Sequence, residues 1–247
     1  MFEKIERYKA QIDAIRPFEG IILQQIKDYY RIGLTYSSNA LEGSSLTETE
    51  TKILLEDGLT VGGKPIRDYY EAAGHSKAYD FMFATANEQP LVISEKIIKK
   101  LHFLFYNAID YEQAGKYRKT QAFITGTEFL PPSPRQVPAL MKNYVQKMNK
   151  QKAILHPVEF AAMLHKDLVD IHPFIDGNGR TARLLMNLAM INSGYGIVII
   201  PPVLRGDYIT ALKISQRKTG ADNGPFIKLV AECLEETQKD MLRLLNG

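Results

Sequence analysis

The stretch Ile171-His172-Pro173-Phe174-Ile175-Asp176-Gly177-Asn178-Gly179-Arg180-Thr181-Ala182-Arg183 decides how the rest of the chain is read. Gly177, Asn178 and Gly179 crowd three turn-forming residues directly ahead of a helix pattern. Arg180 and Arg183 fall in that helix's first turn, where backbone N–H groups already present partial positive charge. Two cations there are unfavourable unless an anion sits among them. Successive N–H groups of a glycine-rich turn, a helix N-terminus and two guanidinium forks together describe a phosphate cradle. Pro173 disfavours the α region for His172, so the preceding helix should end near Ile171 and leave the imidazole facing the cradle. A histidine held there is a candidate base or acid.

Outward from this motif the chain reads as mostly helical. Apolar residues at helical spacing predict helices over 2–16, closed by Pro17, and over 18–37. A short helical turn follows over 36–43, with Gly43 as a left-handed stop. Two overlapping capping boxes, from Ser45 and from Thr47, start a helix that runs to Asp57-Gly58. Further helices are expected over 66–88, 94–108, 136–150, 157–171, 179–193, 207–217 and 225–245. The run Ala122-Phe123-Ile124-Thr125-Gly126-Thr127-Glu128-Phe129 places β-prone residues on both sides of a glycine turn and predicts a lone β-hairpin. The expected fold class is mainly α: one compact helical unit with a single hairpin, residues 1–90 and 91–247 packing together.

Composition narrows the function classes. With 247 residues, 45% hydrophobic and 24% charged, the chain can bury a full core. A net charge of +3 and no basic recognition helix argue against a nucleic-acid partner. The longest apolar run, Gly196–Ile200, is too short for a membrane span, and the first residues carry no apolar signal core. One cysteine, Cys233 on an amphipathic helix, fits a reducing compartment, so a soluble, cytoplasmic protein is expected. The five histidines do not pair for zinc, since His165 and His172 stand two helical turns, roughly 10 Å, apart. Asp176 suits either an Asx-turn or a Mg²⁺ ligand, because Mg²⁺ takes one carboxylate together with phosphate oxygens and waters.

The run from His172 to Arg183 matches the signature His-x-Phe-x-Asp/Glu-Gly-Asn-Gly-Arg-x-x-Arg of Fic-domain proteins at every fixed position. The resemblance extends to residues 115–134, similar to the family's flap hairpin, and broadly to the helices from about 95 to 220. It implies a mainly helical Fic-type fold and AMP transfer from ATP to a Ser, Thr or Tyr hydroxyl of a target protein or of the chain itself. It further implies His172 as general base and Asp176 as ligand of Mg²⁺, with Mn²⁺ as the alternative ion. Gly177, Asn178 and Gly179 would cradle the phosphates, with the Asn178 amide orienting the α-phosphate. Arg180 would serve the β-phosphate region, Arg183 the γ-phosphate, and Tyr208 would line the adenine pocket. Doc relatives that act as kinases alter the Gly-Asn-Gly-Arg part, so its retention favours AMP transfer. An exposed flap edge at Ile124, Thr125 and Gly126 would pair with an extended target peptide, against an ordinary structural hairpin as the alternative.

A second run, Ser38-Asn39-Ala40-Leu41-Glu42-Gly43, resembles the family's Ser/Thr-x-x-x-Glu-Gly/Asn inhibitory motif. Ser38 and Glu42 stand four apart and share a helix face. Glu42 sits at a helix C-terminus, where negative charge costs about 0.3–1 kcal/mol and calls for a cation. The resemblance supplies Arg183, so Glu42 would compete with the γ-phosphate and inhibit the chain from within. Two alternatives stay open: a hydrolase in which Glu42 activates water to remove AMP, and a catalytically silent nucleotide-binding module. The apolar positions among residues 2–34 suit a dimer interface as well as a core, so a homo-oligomer is open too.

Overall fold

The computed structural model describes residues 1–124 and 127–246, of which the last is described without its side chain. Its described residues form α1 (Glu3–Asp13), α2 (Gly20–Ala40), α3 (Glu48–Asp57), α4 (Ile66–Ala86), α5 (Glu95–Tyr106), α6 (Val137–Gln151), α7 (Pro157–Ile171), α8 (Asn178–Asn192), α9 (Arg205–Ser215) and α10 (Gly224–Asn246). A single 3₁₀ turn, Pro202–Leu204, leads into α9. Local chemistry accounts for the boundaries. Ser94 caps α5 by accepting from the Ile97 N–H. Of the two overlapping capping boxes, the one from Thr47 to Glu50 forms, with both reciprocal bonds present, and Gly58 ends α3 in the left-handed region.

Helix α8 is the axis of the molecule. Nearly every residue from Arg180 to Met190 is buried, including Leu184, Leu185, Met186 and Leu188. A helix apolar on all sides must be surrounded. Helices α7, α4 and α5 pack against it, α2 lies on α4, and α10 closes the far side against α1, α7 and α9. One continuous apolar core runs from Ile5 and Ile12 through Leu184 to Met241. The consequence for function is geometric: the N-terminus of α8 is fixed by the core behind it and presents its first turn to the ends of α2 and α4. Among the described residues no helix is long and apolar enough to cross a membrane.

Two expectations need correction. Residues 36–40 are not a separate turn but the last stretch of α2, which runs unbroken to Ala40 with Ser37, Ser38 and Asn39 buried. Glu42 and Gly43 then lie in the turn just beyond, where the Glu42 N–H donates to Asn39 O and Gly43 adopts φ +99°. The β-hairpin is the second. No strand occurs among the described residues, and 121–124 and 127–133 are irregular; the expected tip, Thr125 and Gly126, lies outside them. Pro131, Pro132 and Pro134 follow directly and cannot donate to a ladder, so the pairing has no room to extend beyond Leu130. Side chains hold the arms instead: Gln121 Nε2 donates to Ala122 O and Pro131 O, and Arg118 reaches Thr120 O and Pro132 O.

Candidate active site

The loop between α7 and α8 is built as a rigid bracket. His172, just past Ile171, adopts φ 49° and ψ 58°, a left-handed conformation that ends α7 where a following proline forbids its continuation. Arg118 clamps the bracket from outside, its N–H donating to Pro173 O at 2.9 Å and its Nε to His172 O at 2.7 Å. Phe174 is buried and stacked on His102, with ring centroids 3.8 Å apart. The His102 Nδ1 accepts from the Gly115 N–H, so its Nε2 carries the proton and donates to Asp176 O at 3.0 Å. Burial pulls the His102 pKa down to about 4, which keeps this ring a neutral structural strut. Gly177, at φ +75°, lies so near the Phe105 ring that a Cβ would come within 2.7 Å of it. Only glycine fits there.

The Asn178 side chain ties the bracket together. Its Oδ1 accepts from the Phe174 N–H and its Nδ2 donates to Phe174 O, both at 2.9 Å, and the residue is buried. The amide therefore fixes loop shape, with one N–H of Nδ2 left over from these two bonds. The imidazole of His172 is differently disposed. Its Nδ1 lies 3.3 Å from Val169 O, which can only accept, so Nδ1 holds the proton and Nε2 keeps its lone pair. Burial lowers the His172 pKa against the opposing pull of that carbonyl. At neutral pH the ring is an uncharged acceptor.

Around this bracket the charges pair in two groups. Arg183, 2% exposed, donates Nε to Ser38 Oγ (2.9 Å), Nη1 to Tyr208 Oη (3.1 Å), and Nη2 to both Ser38 O (2.8 Å) and Glu42 Oε1 (2.7 Å). Tyr208 Oη lies 3.0 Å from His165 Nε2, a ring that burial keeps neutral. Gly179 makes room for the arrangement, since a Cβ there would overlap Glu42 Oε1. Burial raises the Glu42 pKa, but Arg183 and Arg180 outweigh it and hold the carboxyl below its ordinary range.

The second group centres on Asp176. Its Oδ1 accepts from the Gly177 N–H at 2.6 Å and faces Arg180 Nη2 at 3.4 Å, while Oδ2 meets Arg67 Nη2 at 2.5 Å. Glu71 on α4 binds both arginines, Arg180 Nη1 at 2.7 Å and Arg67 Nε at 2.9 Å. The Arg180 guanidinium also covers the Phe105 ring at 4.5 Å. Burial raises the Asp176 pKa, yet Arg180, the Gly177 N–H and Arg67 carry it below the usual value.

His172, Asp176, Gly177, Gly179, Arg180, Arg183, Tyr208, Ser38 and Glu42 thus converge on one helix end. Gly43 contributes only the turn, Ile124 lies on the loop that Arg118 ties down, and Thr125 and Gly126 are outside the described residues. Sequence reasoning missed Arg67, Glu71, Arg118, His102 and His165. Arg67 and Glu71 carried one signal, opposite charges four apart on a helix face.

No side chain caps α8 among the described residues, which leaves its first N–H groups for an anion. No cluster of three or more metal-ligating side chains occurs among them either. Asp176 alone, with a cation already on Oδ2, suits an ion whose other ligands are phosphate oxygens and water.

The sequence model described as the Fic/DOC family matches residues 92–190. The chain is 34% identical over 236 residues to a Protein adenylyltransferase Fic of Drosophila melanogaster, covering 95% of this chain and 46% of that protein. It spans about half the length of the curated relatives it matches. Among solved structures it resembles a Fic domain containing signaling protein from Bacteroides thetaiotaomicron, with TM-score 0.87 and 30% identity over 96% of this chain and 95% of that one. Fic-1 of C. elegans is similar, with TM-score 0.86 and 29% identity over 98% and 72% of the two chains.

Proposed function

The chain belongs to the Fic/DOC family, and from that premise we propose that it transfers AMP from ATP to a hydroxyl of a protein and is inhibited from within by Glu42. His172 Nε2 would take the proton of a Ser, Thr or Tyr hydroxyl while that oxygen attacks the α-phosphorus. The P–O bond to pyrophosphate breaks as the new P–O bond forms, and the proton stays on His172. The uncapped N–H groups of α8 would hold the phosphates, and Arg183 would receive the γ-phosphate. When bound at Asp176, Mg²⁺ would neutralise charge developing on the leaving pyrophosphate. Positioning and electrostatics then carry the catalysis. Residues 121–124 and 127–133, anchored to His172 through Arg118, would form the lip that meets the target.

One observation carries the inhibitory part: every N–H-bearing nitrogen of the Arg183 guanidinium already has a partner, and Glu42 supplies the anion. A γ-phosphate would have to displace that carboxylate. Replacing Glu42 by glycine frees one N–H of Nη2, the other still donating to Ser38 O, and Gly179 leaves the vacated space open. If a charge-assisted hydrogen bond of about 2 kcal/mol is removed, transfer from labelled ATP rises on the order of 30-fold in Glu42→Gly. Unchanged labelling in that variant would defeat the inhibitory assignment. In the same background His172→Ala should abolish labelling and keep nucleotide binding by calorimetry. Loss of binding alone would make His172 structural.

A second activity has its own support. Glu42 uses only Oε1 toward Arg183, and Oε2 has no hydrogen-bond partner among the described residues. An ionised carboxylate with one free oxygen beside the phosphate cradle can activate a water, so the intact chain would remove AMP that the released form adds. Supplying AMP-modified protein to wild type and to Glu42→Gly, with Mg²⁺ or Mn²⁺, separates the two directions.

A further inference from the structure

We propose that Arg67 is a resident counter-cation for Asp176, a competitor that a divalent metal must displace from the carboxylate before nucleotide can be held productively. The proposal rests on Asp176 being the metal ligand. Arg67 lies in the first turn of α4, where a cation is disfavoured by the helix dipole. Two carboxylates nevertheless hold it: Glu71 one turn on, and Asp176 across the cleft. The Asp176 Oδ2 it occupies, at 2.5 Å, is the oxygen left over after Oδ1 has engaged the Gly177 N–H. A metal arriving at Asp176 therefore meets a guanidinium at the same atom.

The arrangement also provides the way out. Arg67 is tied to Glu71 through Nε and to Asp176 through Nη2, so the second bond can break while the first persists. Its side chain is 52% exposed, and Asp176 is 42% exposed. Water can replace the lost bond on the guanidinium, and the exchange costs little. Glu71, by contrast, is nearly buried and also fixes Arg180, so α4 itself need not move. Arg67 would hold Asp176 ionised and aimed until a metal arrives, then yield.

The test is Mn²⁺ binding, read from loss of the free-ion paramagnetic resonance signal, with a non-transferable ATP analogue and Glu42→Gly protein. Arg67→Gln should tighten Mn²⁺ about two- to fivefold, the range expected for a solvent-exposed ion pair. Arg67→Lys, which keeps a charge, should fall between. In an Asp176→Asn background the Arg67 effect should vanish. If Asp176→Asn leaves Mn²⁺ affinity unchanged, the metal-ligand assignment fails, whatever Arg67 does. If Asp176→Asn weakens binding but Arg67→Gln leaves it unchanged or weaker, the competitor role is overturned, and weaker binding would make Arg67 a phosphate ligand instead. A circular-dichroism melt of each variant excludes loss of fold as the cause.

Discussion

The ends of two helices lay one charge each on the same motif, with opposite sign. The turn after α2 places Glu42 on Arg183, and the start of α4 places Arg67 on Asp176. The contacts differ in depth. Arg183 is 2% exposed and Glu42 36%, whereas Arg67 and Asp176 are both near half. Arg183 also donates to Ser38 and Tyr208, so its partner is part of a nearly closed network. Arg67 shares only Glu71. A buried arginine deprived of its anion keeps the desolvation penalty and loses the compensation, but an exposed one turns to water. On the proposed function, the first contact would act as a latch that needs a strong competitor, the second as a placeholder.

The largest expected effect tests that asymmetry on stability rather than turnover. In a double-mutant cycle with Glu42→Gln and Arg183→Met, followed by urea unfolding, the coupling should be about 2 kcal/mol. Gly179→Ala should cut that coupling sharply, because the added methyl takes the place of Glu42 Oε1. A coupling near zero in the parent protein would mean that Arg183 is held by Ser38 and Tyr208 alone, and the latch would lose its physical basis.

How much of this was legible beforehand follows from the range of each interaction. The motif from His172 to Arg183 was readable because its anomalies are adjacent in the chain, and the Thr47–Glu50 box because it closes within one turn. Glu42 and Arg183 stand 141 positions apart, yet each was conspicuous alone, an anion at a helix end that disfavours it and a cation at one likewise. Arg67 and Asp176 are 109 positions apart, and nothing local about Arg67 announced its partner beyond a pair with Glu71 that suits any exposed helix. That contact exists because α4 packs across α8, which sequence periodicity does not specify. Asn178 shows a different limit: its type suited phosphate contact, but nothing local announced that both amide atoms also close the loop onto Phe174. Around residues 122–124 and 127–129, strand propensity is present on both sides, but the prolines that follow at 131, 132 and 134 leave no donors to extend a ladder.

Acidity offers an intermediate effect, and its sign follows from the two carboxyl and imidazole environments. The Glu42 carboxyl is held below its ordinary range when folded, so the stability it contributes is complete above that range and is lost as pH falls through the depressed value. The stability difference between wild type and Glu42→Gly should be flat from about pH 8 to about pH 5 and shrink only below the free-glutamate value near ~4.3. Mild acid should not open the latch. Transfer by Glu42→Gly should likewise hold steady above the ordinary imidazole value of about 6.5 and fall only below it, because burial depresses the His172 pKa. A rate that already falls above that value would mean the ring is charged at neutral pH and cannot be the base.

The smallest effect belongs to the placeholder, and its smallness is the point. A cycle with Arg67→Gln and Asp176→Asn should return a coupling below about 1 kcal/mol in low salt, fading further as salt is raised. The Glu42–Arg183 coupling should change less over the same salt range, since the Arg183 guanidinium is buried and screening acts weakly there. If both couplings fell together with salt, the two contacts would be alike in depth, and the distinction between latch and placeholder would collapse. If the Arg67 coupling instead matched the latch and resisted salt, displacement by a metal would be costly. The α4 contact would then be a second inhibitory lock, acting on Asp176 as we propose Glu42 acts on Arg183.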